Sequence, residues 1–216
     1  MSVDERAIVS AVSGLPLVGN EEGLIPAFGL YLTRHYADYY NRVSYAYLHA
    51  AHEQGPEVEK KAREALIEAG HVCAFNTFGG IMLSQEWEAV VGPMLEGRED
   101  WVSGIVGVIN ALGWGRWHVE GLTPNEELRV AIDNTYESTG YLAEHGESKV
   151  GPVCFLATGG VAGIMNLIYH GDILARPALT QEYYAELFEG SGRFVAEEVA
   201  CRAAGAPRCE LVARRP

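Results

Sequence analysis

The twenty residues from Val150 to Tyr169 carry no charged side chain. A helix of that length reaches across a bilayer's hydrocarbon core of about 30 Å, so the run must either span a membrane or be buried in protein. It also contains Gly151, Pro152, Thr158, Gly159, Gly160, Gly163 and Asn166. These dilute its hydrophobicity, and small residues let helices approach closely inside a protein. The run predicts a buried core helix from about Val153, with no membrane span. Gly159-Gly160-Val-Ala-Gly163 superficially matches a phosphate loop but lacks the following Lys and the preceding strand, so it reads as close helix packing.

The rest of the chain can supply that core. Its 216 residues are enough for one domain, or one with a helical extension, and 48% apolar with 21% charged residues is a globular composition. A net charge of -13 repels phosphate backbones and argues against nucleic-acid binding. The start, Met-Ser-Val-Asp-Glu-Arg, lacks the basic and apolar segments of an export signal. A cytoplasmic protein is therefore expected, with its four cysteines serving as thiols or metal ligands.

Helical periodicity dominates the first half. Pro26 is expected to open a long helix carrying Phe28, Leu32, Tyr36, Tyr39, Val43 and Tyr47, which Gly55-Pro56 ends. A second helix runs from Glu57 through Cys73 toward Met82, Ser84 caps a short third, and Trp101 to Leu112 forms another. The period then changes to two. Arg116–Leu122 and Glu127–Asp133 read as strands around Thr123-Pro124-Asn125, with Leu128, Val130 and Ile132 on a buried face. After the uncharged helix, Thr180 caps another that Gly190-Ser191-Gly192 terminates. Arg193–Ala200 and Arg208–Ala213 make a last pair of strands. The class is α+β, an antiparallel sheet packed with helices. Residues 1–56 would form an N-terminal helical extension and 57–216 the main domain.

Chemistry concentrates in Glu198-x-x-Cys201 followed by Cys209. Two cysteines flanking a Gly/Pro turn can meet at a hairpin mouth, and zinc favours thiolates in a set of four ligands. A third thiol, Cys154 or Cys73, would have to come from elsewhere. Without it, these are inert buried cysteines. Elsewhere, His49 and His52 read as solvent-exposed near a helix end, and tyrosines 31, 36, 39, 40, 45 and 47 as packing a helix interface.

Gly113-Trp-Gly115, Asn134-Thr-Tyr-Glu137, Pro152-Val-Cys154 and the Glu-x-x-Cys…Cys ending together resemble the vinyl-reductase domain, also called the hydrocarbon-binding domain. That family includes the sensory regions of aromatic-responsive bacterial transcription activators and proteins near bacteriochlorophyll synthesis. The resemblance covers roughly residues 60–213. It implies a fold similar to transport-particle subunits, a homodimer, and a structural zinc held by Cys154, Glu198, Cys201 and Cys209. Three thiolates and a carboxylate overcompensate the ion's charge, so it would make a poor Lewis acid. An apolar or aromatic small molecule would bind between the Trp101–Leu112 helix, the Trp114 strand and the Cys154 helix, near Asn110, Trp114, Trp117 and His118. Two departures stand out. The chain is longer between Cys154 and Glu198, around Ala175–Phe194, and a tryptophan used by the aromatic sensors falls near Ile132. The rival readings are an enzyme or chaperone for a tetrapyrrole or similar substrate, and a structural dimeric adaptor. No nucleophile–base pair is visible, so the balance is against an enzyme.

Overall fold

The computed structural model describes residues 3–216. Helix α1 (Glu5–Ser13) is capped by Asp4, whose carboxylate accepts the Arg6 and Ala7 N–H groups at 3.0 and 3.1 Å. Its buried Ile8 rests on Gly107, where a Cβ would lie only 3.1 Å from the Ile8 side chain. The expected helix from Pro26 does not form there. Ile25–Ala27 (β1) and Leu30–Leu32 (β2) pair as a small hairpin, turning at Phe28 and Gly29 with φ of 56° and 67°. Positive φ at successive residues is incompatible with a helix, so α2 begins only at Ala37 and runs to Glu53.

Gly55, at φ 108°, separates α2 from α3 (Pro56–Cys73), with Pro56 at the first helical position. The helix continues as a π turn over Ala74–Phe78 and as α4 (Gly79–Met82). Ser84 caps α5 (Gln85–Val90) by accepting the Trp87 N–H at 3.1 Å, and α6 covers Arg98–Ala111. Strands β3 (Gly115–Thr123) and β4 (Glu127–Thr135) follow as expected. A helix absent from the sequence reading, α7 (Tyr136–His145), comes next, capped by Thr135. The uncharged run forms α8 (Phe155–Met165), continued as a π turn to His170. Thr180 caps α9 (Gln181–Phe188), and β5 (Val195–Ala200) with β6 (Cys209–Arg214) completes the chain.

The four-stranded antiparallel sheet has the order β3-β4-β6-β5, so the fold is α+β. Trp117, Leu128, Val130, Ile132 and Leu211 turn one face of it toward the helices and are at most 1% exposed. On the other face Arg208 pairs with Glu120 and Glu210, and Arg214 with Glu197. Against the inner face lies α8, whose far side meets α3 at glycines. A Cβ at Gly159 would sit 2.3 Å from the Ile67 carbonyl oxygen and 2.6 Å from the Gly70 Cα. The glycines of the uncharged run thus serve close helix packing. Among the described residues no helix is long and apolar enough to cross a membrane.

Candidate functional site

Glu198 and Cys201 lie three apart, and a regular strand would point them to opposite faces. The β5–β6 register slips between Glu198 and Ala200, and the strand ends at Ala200. Cys201 therefore turns inward beside Glu198. A 3-10 turn (Arg202–Ala204) and Gly205, at φ 92°, then reverse the chain toward Cys209. Cys154 arrives from the opposite layer as the N-cap of α8.

One ligand atom from each of Cys154, Glu198, Cys201 and Cys209 lies within 4.8 Å of all the others. Cys154 Sγ is 3.6 Å from Cys209 Sγ. No cysteine is in a disulfide, and the three in the cluster are buried. These four side chains can hold a metal ion. The surroundings orient them. The Cys154 N–H donates to Glu198 Oε2 at 2.8 Å, the Arg202 N–H to Cys209 Sγ at 3.4 Å, and Thr135 Oγ1 touches Cys154 Sγ at 3.4 Å. Glu198 Oε1 is buried without a partner. Burial, reinforced by Cys201, pushes the Glu198 carboxyl up to about 9. Burial also raises the Cys154 thiol, whereas hydrogen bonds from Cys154 and Cys201 lower that of Cys209. A cation among them would relieve the buried carboxylate. Cys73 stands apart on α3, 3.7 Å from Thr77 Oγ1.

Glu137 is a buried carboxylate whose role the sequence did not disclose. It accepts the Leu156 and Ala157 N–H groups at 3.0 and 2.9 Å, satisfying the first turn of α8 from another helix. The Tyr40 hydroxyl of α2 donates to it at 3.4 Å. Burial pushes this carboxyl up to about 7, against the two N–H donors that favour its ionised form. A helix-starting Asn-Thr-Tyr-Glu was the available signal, but its target lay twenty residues away. Thr135 and Arg202 were likewise missed.

The expected ligand residues occupy three settings. Asn110 is committed to the backbone of Trp117, accepting its N–H at 2.7 Å and donating to its carbonyl at 3.0 Å. Trp117 is fully buried with its indole N–H unpartnered. His118 faces the other side of the sheet, 3.0 Å from Asp133. Half-buried Trp114 packs between Phe78 and Tyr136, with ring centroids 5.5 and 6.3 Å away. Beside it runs a groove of about 460 Å³ lined by Gly113, Gly115, Asn134, Thr135, Tyr136 and Thr139, among others. Arg202 closes one rim, reaching Asn134 Oδ1 at 2.8 Å and Thr139 Oγ1 at 3.5 Å.

Two expectations for α2 need correction. Tyr45 is buried and Tyr40 half-buried, but Tyr31, Tyr36, Tyr39 and Tyr47 are 49–70% exposed. His49 is not free in solvent, because it contacts the Tyr141 hydroxyl at 3.0 Å and the His145 ring at 4.7 Å between centroids. His52, by contrast, is largely exposed and pairs with Glu59 at 2.7 Å.

Fold and cluster together define an α+β domain with a thiol–carboxylate group capable of metal binding at the root of its C-terminal hairpin. Among solved structures, the chain is similar to the phenol-responsive sensory domain of the transcription activator PoxR, crystallised with phenol. The TM-score is 0.67 at 13% identity, over 100% of this chain and 92% of that one. The likeness establishes a shared fold. No protein-family model matches the chain, and no curated protein does at a significant level.

Proposed function

We propose that this chain is a small-molecule-binding, sensory domain of the vinyl-reductase type, stapled by a structural zinc ion. The zinc would be held by Cys154, Glu198, Cys201 and Cys209, and would cross-link the C-terminal hairpin to the start of α8. Soft sulfur donors and an unpartnered buried carboxylate oxygen suit zinc. Bound there, the ion supplies charge compensation and rigidity, and this chain's residues do the rest. Thr135 and the Arg202 N–H hold two sulfurs, and Glu198 holds the Cys154 backbone.

The ligand is an apolar or aromatic small molecule, bound at Trp114 and entering by the adjacent groove. Trp117 contributes its free indole N–H and Asn110 fixes the Trp117 backbone, while His118, paired with Asp133 on the outer face, lies outside the groove. The groove is of a size usual for such ligands. One observation carries this reading. The groove's wall is bonded directly to the cluster, through Thr135 to Cys154 and through Arg202, which joins Asn134 to the Cys209 sulfur. The fold shared with a phenol-responsive domain supports it. Residues 1–56 act as a cap on the 57–216 domain in this reading. The protein works as a cytoplasmic homodimer with no part for nucleic acid or membrane. The exposed tyrosines of β2 and α2 offer the dimer surface. With 49–70% of each residue exposed, out of about 150–250 Å² per tyrosine, the four supply roughly half of the ~800 Å² per partner in a standard interface.

Tryptophan fluorescence titrated with phenols, terpenoids and tetrapyrroles tests the binding site, alongside elemental analysis and light scattering of the same sample. The expected result is saturable quenching lost in Trp114→Phe, about one zinc per chain, and a dimer that Tyr39→Asp dissociates. Absence of binding across the panel in zinc-replete protein overturns the sensory reading in favour of a structural adaptor. A folded, metal-free protein overturns the zinc.

A further inference from the structure

The cluster brings together three thiols from different parts of the chain. Cys154 caps α8 and Cys209 begins β6, so no backbone pairing explains why their sulfurs are 3.6 Å apart. A disulfide requires about 2.05 Å. The two sulfurs must therefore close only about 1.5 Å between them. Cys201 Sγ lies within 4.8 Å of both.

We propose that Cys154 and Cys209 form a peroxide-responsive oxidation site, whose disulfide dismantles the metal centre and so regulates the groove. The release of metal rests on the zinc reading above, whereas the disulfide itself does not. Cys209 is the attacking sulfur, since the Arg202 N–H already donates to it and stabilises negative charge there. It attacks one oxygen of hydrogen peroxide, the O–O bond breaks, and a sulfenic acid and one water result. Cys154 then displaces the hydroxyl from that sulfur, forming the S–S bond and releasing a second water. Two electrons pass from the two sulfurs to peroxide. The protons come from the two thiols, or from solvent where metal-bound thiolates react.

Only Glu198 and Cys201 would then remain of the four donors, and two ligands on one short segment are too few to hold a four-coordinate zinc ion. Losing that anchor frees Cys201 and the tip that follows it. The tip is where the cluster meets the groove. Arg202 Nη1 holds Asn134 and Thr139, and the Ala203 carbonyl accepts the Ser148 N–H at 2.6 Å. All three partners belong to the segment that forms one wall of the groove or follows it. Ala204, Gly205 and Pro207 at the tip are exposed, while the sulfurs are at most 2% exposed. Peroxide therefore gains entry when the tip lifts. Cys73 serves as an internal bystander, because burial raises its thiol pKa and its nearest polar partner is Thr77.

The full chain as purified, freed of reductant, is treated with hydrogen peroxide. Zinc release is followed with a chromogenic chelator, and disulfides are mapped by mass spectrometry of unreduced peptides. The expected result is complete loss of bound zinc in step with a Cys154–Cys209 cross-link, reversed by dithiothreitol and added zinc, and identical in Cys73→Ser. Weaker fluorescence response to a ligand of the groove should accompany it. Zinc retained under large peroxide excess, a cross-link confined to Cys201–Cys209, or release with sulfinic acid and no cross-link each overturns the proposal. Protein that purifies without zinc but still forms the Cys154–Cys209 bond sinks the zinc reading and upholds the oxidation site. Metal-free protein in which no disulfide forms sinks both.

Discussion

Glu198 Oε2 accepts the backbone N–H of Cys154 at 2.8 Å, so the first and second of the four prospective metal ligands in chain order are joined by a hydrogen bond of their own. The carboxylate thereby has two duties, one toward α8 and one toward an ion. Glu198→Gln separates them, since an amide oxygen can still accept the Cys154 N–H. The variant should fold while its zinc affinity falls by roughly 100-fold or more, judged against the 10–100-fold typical of outer partners. Competition with a chelator of known affinity measures this. Unchanged affinity would remove Glu198 from the ligand set.

Glu137 predicts a stability effect away from the cluster. Glu137→Gln replaces one acceptor oxygen by a donor facing the N–H groups of Leu156 and Ala157. The expected loss is about 1–3 kcal/mol in chemical denaturation, as for a buried group left unsatisfied. The effect should also depend on pH. The folded carboxyl titrates at about 7, raised from 4.5. The stabilisation linked to its protonation is thus complete below the lower value and lost as pH rises through the upper one. The wild type's advantage over Gln should narrow from about pH 5 to about pH 8. A widening gap would contradict the burial of this group.

Two neighbouring glycines should respond very differently to the same change. Gly159→Ala drives a methyl to within 2.3 Å of the Ile67 carbonyl oxygen, backbone that cannot retreat, and should cost about 3 kcal/mol. Gly160→Ala meets Phe78 and Trp117 at 3.5 and 3.6 Å, ordinary contact distances. It should stay within about 1 kcal/mol of wild type, helped by helix propensity. Thermal unfolding of the pair checks the α3–α8 crossing directly.

The α2–α7 contact should weaken in acid. Burial, then His145 and His52, lower the His49 pKa below its ordinary 6.5. The folded state therefore binds fewer protons than the unfolded one, and stability falls as pH drops below that value. His145→Gln removes the facing ring and should flatten this part of the profile relative to wild type. A parallel pair of profiles would show that the two histidines do not interact.

Much of the secondary structure was legible because its causes are local. Ser84 and Thr180 cap the helices they were expected to cap, Gly55-Pro56 separates α2 from α3, and β3 and β4 turn near Asn125. Alternation in Leu128, Val130 and Ile132 gave the buried face of the sheet. Phe28 misled, because an aromatic at helical spacing says nothing of a positive φ imposed by a hairpin. The tyrosines misled similarly, for periodicity marks a helix face without saying what covers it.

The sequence by itself marked Glu198, Cys201 and Cys209 as candidate metal donors and one helix as buried, since donor chemistry and the absence of charge belong to the residues themselves. Tertiary structure decided what could not be local. It took a register slip in β5 to put Cys201 on the same side as Glu198. The packing of α8 against the sheet, made possible by glycines meeting α3, delivers Cys154 to a cluster that closes 55 residues later at Cys209. Glu137 is the clearest case, for its partners lie on α8 and α2. A carboxylate's burial and partners depend on what the fold brings to it, and that information is spread over the whole chain.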